Sequence, residues 1–190
     1  MPNDPFSGLP QVPWFTVQSI DFSHDEILPL EQRSAMFGAE GGRDLSPQLA
    51  WTGAPRGTKS FAVTMYDPDS PTGAGFWHWA VVDIQANVSS LPAGAGAGSS
   101  SSLNLPPHAY HLRNDAGVAG YVGGSPSAGS GEHRFFFVVH ALDVRQIKIP
   151  PTSTPSFLGL HLALHIIGRA VIVATGADLA PKQLWFAGTH

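Results

Sequence analysis

Two short stretches of this chain hold the residue types that could do chemistry together. The first is Asp67-Pro68-Asp69-Ser70-Pro71-Thr72-Gly73-Ala74-Gly75-Phe76-Trp77-His78-Trp79. It sets two carboxylates on a turn and a histidine in an aromatic run. Pro68 and Pro71 fix their own φ and restrict the residues before them, so Asp67 and Ser70 are expected in extended or turn conformations. The second is Gly123-Gly124-Ser125-Pro126-Ser127-Ala128-Gly129-Ser130-Gly131-Glu132-His133-Arg134. Its small residues let a ligand approach the backbone, and consecutive N–H groups in such turns form anion-binding nests. Asp67, His78 and His133 around one small pocket would recognise an anion. An imidazole can donate to a phosphate or carboxylate oxygen, and Asp67 could hold one imidazole's far nitrogen and set its tautomer. On spacing alone, an equal reading has both histidines satisfied by backbone carbonyls in the core, with Asp67 and Asp69 only capping the turn.

Other constellations carry less. His161 and His165 stand at i, i+4, but Leu162-Ala163-Leu164 lies between them, so the Glu of a zinc-protease motif is missing and a structural role is favoured. His108 and His111 have no partner legible in the sequence, and no metal site is expected. There is no GxSxG, no P-loop and no placed base beside a serine. Acid/base hydrolysis by Asp67, His78 and His133 stays open as an alternative to binding, without an identifiable nucleophile or electrophile. Phe76, Trp77, Trp79 and Phe135 either wall a pocket or form plain core.

The elements that must position these residues are mostly strands. Ser60–Tyr66 and Phe76–Ile84 are β-branched, aromatic and apolar. Arg134–Leu142 is apolar on both faces and so is expected at the centre of a packed sheet. Trp14–Ile20 and Ile27–Leu30 are candidate short strands, and residues 43–50 a polar loop. Residues 1–13 read as an extended arm. The Gly/Ala/Ser run within residues 92–109 reads as a mobile surface loop. The 3–4-residue spacing of Phe157, Leu160, Leu164, Ile167 and Val171 predicts a helix over 156–174, with Ser156 as N-cap and Gly176 as stop.

Composition narrows the function classes. The 190 residues fit one domain with a real core. Charged residues make up 13% of the chain, and 21 glycines with 17 prolines favour many turns and β-rich structure. A net charge of −4 offers no field for a phosphate backbone, so nucleic acid is a poor partner. With no cysteine, disulfides, thiolate nucleophiles and Cys-ligated zinc are excluded. Leu158–Ala174 is too short for a membrane span and is interrupted by His161, His165 and Arg169. The N-terminus lacks the pattern of a secretory signal, so a cytoplasmic location is the simplest expectation.

Five pieces of the chain, in order, resemble the phosphatidylethanolamine-binding protein family, in particular its bacterial Raf-kinase-inhibitor-like branch. They are Ser46-Pro47-Gln48-Leu49-Ala50-Trp51, Asp67-Pro68-Asp69-Ser70-Pro71, Gly75-Phe76-Trp77-His78-Trp79, Asn114-Asp115-Ala116-Gly117 with Gly120-Tyr121, and Gly131-Glu132-His133-Arg134. The resemblance runs from about Ser46 to Ala174. It implies a mainly β fold, an antiparallel β-sandwich with peripheral helices and one near the C-terminus. It also implies a non-enzymatic pocket for a small anion, phosphate or phospholipid head group. Asp67, His78 and His133 would line this pocket, Pro126 would lie on its rim, and Asp69, Trp79 and Phe135 would support it. A cis bond before Pro71 and a homodimer are further implications, and no cofactor is expected. Some relatives regulate kinases and others inhibit serine proteases, roles that do not transfer residue by residue. A partner-regulating role with a vestigial pocket is the remaining alternative. Two departures bear on the ligand. Ser125 and Ser127 flank Pro126 in a rim usually richer in proline, and Phe135 stands where Tyr is frequent. The missing hydroxyl would cost about 0.5–1.5 kcal/mol had it bonded a phosphate.

Overall fold

The computed structural model describes residues 4–98, 104–127 and 129–177. Two sheets face each other. The small one contains β1 (Thr16–Gln18), β3 (Leu49–Thr52) and β6 (Ser90–Leu91), in the order β1-β3-β6. The large one contains β2 (Glu26–Ile27), β4 (Ser60–Asp67), β5 (Phe76–Gln85), β7 (Tyr110–His111), β8 (Glu132–Leu142) and β9 (Ile166–Ala177). Its order is β2-β9-β8-β4-β5-β7, antiparallel throughout except for the parallel β2–β9 pair. This is the expected mainly β, two-sheet architecture, and it does not close into a barrel.

Strand periodicity explains the layers. Along β4, Phe61, Val63 and Met65 point toward the small sheet and pack with Trp51, Leu49 and Leu91. The alternate residue Ala62 faces the other way, where Ala80, Val82 and Leu142 meet the helix α1 (Pro155–His165) through Leu158 and Leu162. The central position expected for Arg134–Leu142 is observed: β8 lies between β9 and β4. A strand covered on both faces needs no polar alternation, which is why Phe135 to Val139 run without a break.

The C-terminal element differs from the expected helix over 156–174. The helix ends at His165, and Ile166 begins a twelve-residue strand that holds Gly176 in its interior rather than as a helix stop. Ile166, Ile167, Val171, Ile172 and Val173 are β-branched and favour a pleated surface, which overrides the 3–4-residue apolar spacing. The cap is Thr154, whose hydroxyl accepts the Phe157 N–H at 3.2 Å, with Pro155 in the first turn. Pro155, Leu158 and Leu162 are the buried helix residues, whereas Phe157, Leu160 and Leu164 are exposed.

Four smaller expectations change. Asp4–Leu9 is a turn rather than an extended arm, and Phe6 docks edge-on against Trp14 and Phe136. The candidate strand Trp14–Ile20 shrinks to Thr16–Gln18, and Ile27–Leu30 yields only the end of β2 before a 3-10 turn at Leu30–Gln32. In the Gly/Ala/Ser run, Gly94, Ala95 and Gly96 are buried, because the Gly96 N–H bonds Ser46 Oγ at 2.7 Å; residues 99–103 of that run lie outside the described residues. The peptide before Pro71 is trans. No helix among the described residues is long and apolar enough to cross a membrane.

Candidate functional site

Register irregularities in β5 build the site. Met65 pairs with Trp79 and Tyr66 with Trp77, so His78 is an extra residue that no β4 residue opposes. Such a bulge re-aims a side chain. The freed His78 carbonyl accepts from Asn114 Nδ2 and from the Val122 N–H, both at 3.1 Å. Its ring Nδ1 in turn lies 2.9 Å from the Val122 carbonyl oxygen. A carbonyl can only accept, so Nδ1 carries the proton. The Phe76 ring lies tilted against the His78 ring at 4.7 Å between centroids, and Phe135 meets it edge-on at 5.6 Å.

Asp67 ends β4, and His133 sits on β8 near its start. They meet at 2.7 Å, Asp67 Oδ2 to His133 Nδ1, with both side chains 4% exposed. The other Asp67 oxygen accepts the Asp69 N–H at 2.8 Å. Asp69 holds the turn from outside: its Oδ2 accepts the Arg134 N–H and Nε, and its Oδ1 accepts Arg134 Nη2 at 2.7 Å. The Arg134 hydrogen bond keeps the Asp69 carboxyl below its ordinary range.

The three residues named from the two sequence stretches thus converge, 66 residues apart for Asp67 and His133. They line a cavity of about 260 Å³ with Phe37, Ser70, Pro71, Thr72, Phe76, Ser125 and Ser127. Each imidazole is pinned through Nδ1. Each Nε2 is buried and has no hydrogen-bond partner among the described residues. Desolvation lowers the His78 pKa to about 4, against the opposing pull of Asp67 and the Val122 carbonyl. The buried donor or acceptor left over on each ring is the group a ligand would satisfy.

Other named residues serve differently. Trp79 is fully buried in the core and donates Nε1 to His111 Nδ1 at 3.2 Å, so it is no part of the cavity wall. Phe135 lies beneath the site with its ring end against Gly124 and Gly176; a Cβ at Gly124 would come within 2.3 Å of it. The glycines of the second stretch therefore make room for an aromatic ring. Nor is that loop an open anion nest, since the Gly123 N–H already bonds Asp44 Oδ1 at 2.7 Å. Pro126 packs toward Gly176, and its neighbours Ser125 and Ser127 line the cavity. His165 pairs with Asp143, His161 meets Phe157 edge-on, and no metal-binding cluster is found among the described residues.

Sequence reasoning missed Asn114 as a clamp. Buried, it donates to His78 and Gly120 carbonyls and accepts the Ala116 and Val118 N–H groups. The Asn-Asp-Ala-Gly cluster was a signal for the turn but not for what the turn holds. Asp44, with a left-handed φ of 51°, and Phe37 had no signal at all.

A pair of adjoining cavities opens at the other end of β4 and β5. The first, about 510 Å³, is lined by Lys59, Asp83, Gln85, His108 and Arg145 among others. The second, about 550 Å³, adds Lys148 and Asp143.

A two-sheet, mainly antiparallel fold with an Asp/His pocket at one strand end defines a class. The phosphatidylethanolamine-binding protein family model matches residues 18–177, and the chain belongs to that family. It is similar to the UPF0098 protein YbcL of Escherichia coli K12, 43% identical over 158 residues, which cover 83% of this chain and 85% of that protein. The UPF0098 protein YbhB of the same organism is 42% identical over 133 residues, 70% of this chain and 82% of YbhB. The crystal structure of E. coli YbcL, described as a new member of the mammalian PEBP family, gives a TM-score of 0.81 at 41% identity, covering 86% of this chain and 98% of YbcL. The homolog CT736 of Chlamydia trachomatis gives 0.69 at 26% identity, covering 87% and 98%.

Proposed function

We propose that this protein binds a small oxyanion, a phosphate or phosphate-bearing head group, between His78 and His133, and that it does so without turnover. The observation that carries the reading is the pair of buried Nε2 atoms with no partner among the described residues, on imidazoles whose other nitrogens are fixed. A buried polar atom without a partner costs about 1–3 kcal/mol, and a ligand oxygen that bonds it recovers that cost. The cavity volume of about 260 Å³ suits a head group rather than a larger molecule. Binding is favoured over hydrolysis because neither Nε2 has a hydroxyl of the described residues in hydrogen-bond reach. Ser70, Thr72, Ser125 and Ser127 all line the cavity, yet none is poised as a nucleophile.

The test is an NMR titration with inorganic phosphate that follows the histidine ring signals. The His78 and His133 signals are expected to shift together and saturate while exposed His108 does not move. Absence of any shift at saturating phosphate between pH 6 and 7 overturns the reading. For turnover, a panel of phosphatase and esterase substrates is expected to show no activity that His78→Ala abolishes.

A further inference from the structure

We infer that the pocket selects an oxyanion that still carries one proton, such as the monoanion of a phosphate monoester, and discriminates against phosphodiesters. This deepens the reading above and rests on it. The argument is a count of donors and acceptors. The His78 ring donates through Nδ1 to the Val122 carbonyl oxygen at 2.9 Å, so in the neutral ring Nε2 presents a lone pair. The ring is enclosed by Phe76 and Phe135, and burial disfavours its charged form, holding its pKa near 4.

The charged and titratable groups that face the His78 ring are Asp67 on β4, His133 on β8 and Asp44 in the loop before β3. None donates to His78 Nε2, which has no hydrogen-bond partner among the described residues. Asp67 spends one oxygen on His133 and the other on the Asp69 N–H. Asp44 accepts the Gly123 N–H. The His133–Asp67 pair offers the ligand one N–H at most, through His133 Nε2, when the imidazole is charged.

A ligand seated across both rings therefore meets one acceptor at His78 and at most one donor at His133. A monoprotonated phosphate monoester answers both, with P–OH donating to His78 and P–O⁻ accepting from His133. A phosphodiester, the form of phosphate inside a phospholipid, has no proton to give. Its second oxygen would face the His78 lone pair and leave a buried acceptor unsatisfied. A neutral hydroxyl of Ser70, Thr72, Ser125 or Ser127 can rotate to suit either ligand and does not change the count.

The experiment is calorimetric titration of the wild-type protein at pH 6 with methyl phosphate and, separately, dimethyl phosphate. The first is a monoester and the second its diester counterpart. Methyl phosphate is expected to bind at least ~10-fold more tightly, the factor that one unsatisfied buried group produces. Its affinity is expected to fall at least ~10-fold between pH 6 and pH 8, as the second proton leaves with a pKa of about 6. Equal or tighter binding of dimethyl phosphate overturns the ligand-class inference and leaves the anion pocket standing. No binding of either compound overturns the pocket reading itself.

Discussion

The two ends of the β4–β5 pair carry the same device to different outcomes. Each end has a bulge in β5: His78 is the extra residue at one, and the shift between Phe61/Ile84 and Val63/Val81 places another beside Asp83 at the other. Each bulged region opens on a cavity, and the cavities at the Asp83 end are the larger. Yet the groups there are loose. Lys59, Arg145 and Lys148 are exposed and form no ion pair among the described residues, whereas the two carboxylates are held away from them: Asp83 Oδ1 accepts the Ile147 N–H at 2.7 Å, and Asp143 pairs with His165 at 3.0 Å. At the His78 end, Asp67, His78 and His133 are each at most 4% exposed and each pinned by a neighbour of known position. Preorganised, desolvated groups bind more selectively than mobile surface cations, so the smaller cavity is the better site.

Acid should separate the ends most strongly. The folded-state pKa of His78 is lowered to about 4, as is that of His111, and that of His140 is lowered to about 3, all chiefly by burial. A lowered histidine pKa means that the unfolded chain binds the proton first. Stability is thus full above about pH 6.5 and falls as pH drops toward 3–4, with a slope of up to about 1.4 kcal/mol per pH unit for each histidine. Urea denaturation from pH 7.5 to 4.5 should show this loss. His78→Gln should make it shallower by one proton, whereas changing exposed His108 to Asn should not. A stability unchanged across this range contradicts the burial argument.

Breaking the pinned pair comes next. Asp67→Ala leaves His133 Nδ1 buried without its partner and should cost about 3–5 kcal/mol. Lys59→Ala at the other end should stay within about 0.5 kcal/mol. Comparable losses in the two variants would erase the contrast. Gly124→Ala drives a methyl into the Phe135 ring below His78 and should cost about 1–3 kcal/mol. It should also shift the His78 ring signals, which Gly57→Ala, a surface change at a positive φ, should not. The smallest loss at the His78 end is that of Arg134→Ala. It removes a partly exposed bidentate partner of Asp69 and should cost about 1 kcal/mol, measured in the same denaturation series.

The contrast also shows what the sequence made legible. Asp67, His78 and His133 could be named because proline turns and glycine runs mark where strands start and end. The strand cores Ser60–Tyr66, Phe76–Ile84 and Arg134–Leu142 are legible from β-branched and aromatic runs, and the observed strands extend them by one or two residues to Ser60–Asp67, Phe76–Gln85 and Glu132–Leu142. The end of the helix is not legible, because Ile167 and Val171 satisfy a 3–4-residue spacing while their branching favours a strand. Nor is the role of Trp79. Trp77 and Trp79 flank the bulged His78, and which of them faces the core depends on a pairing register that no local pattern encodes. The Asn114 clamp and the Asp44–Gly123 bond are long-range contacts set by the fold as a whole.

The most direct measurement is a crystal structure of the protein grown with arsenate, a heavy analogue of phosphate, located by its anomalous scattering. The account predicts one arsenate within hydrogen-bond distance of both His78 Nε2 and His133 Nε2. Arsenate seated instead among Lys59, Arg145 and Lys148, with the His78–His133 pocket free of it, would contradict the account.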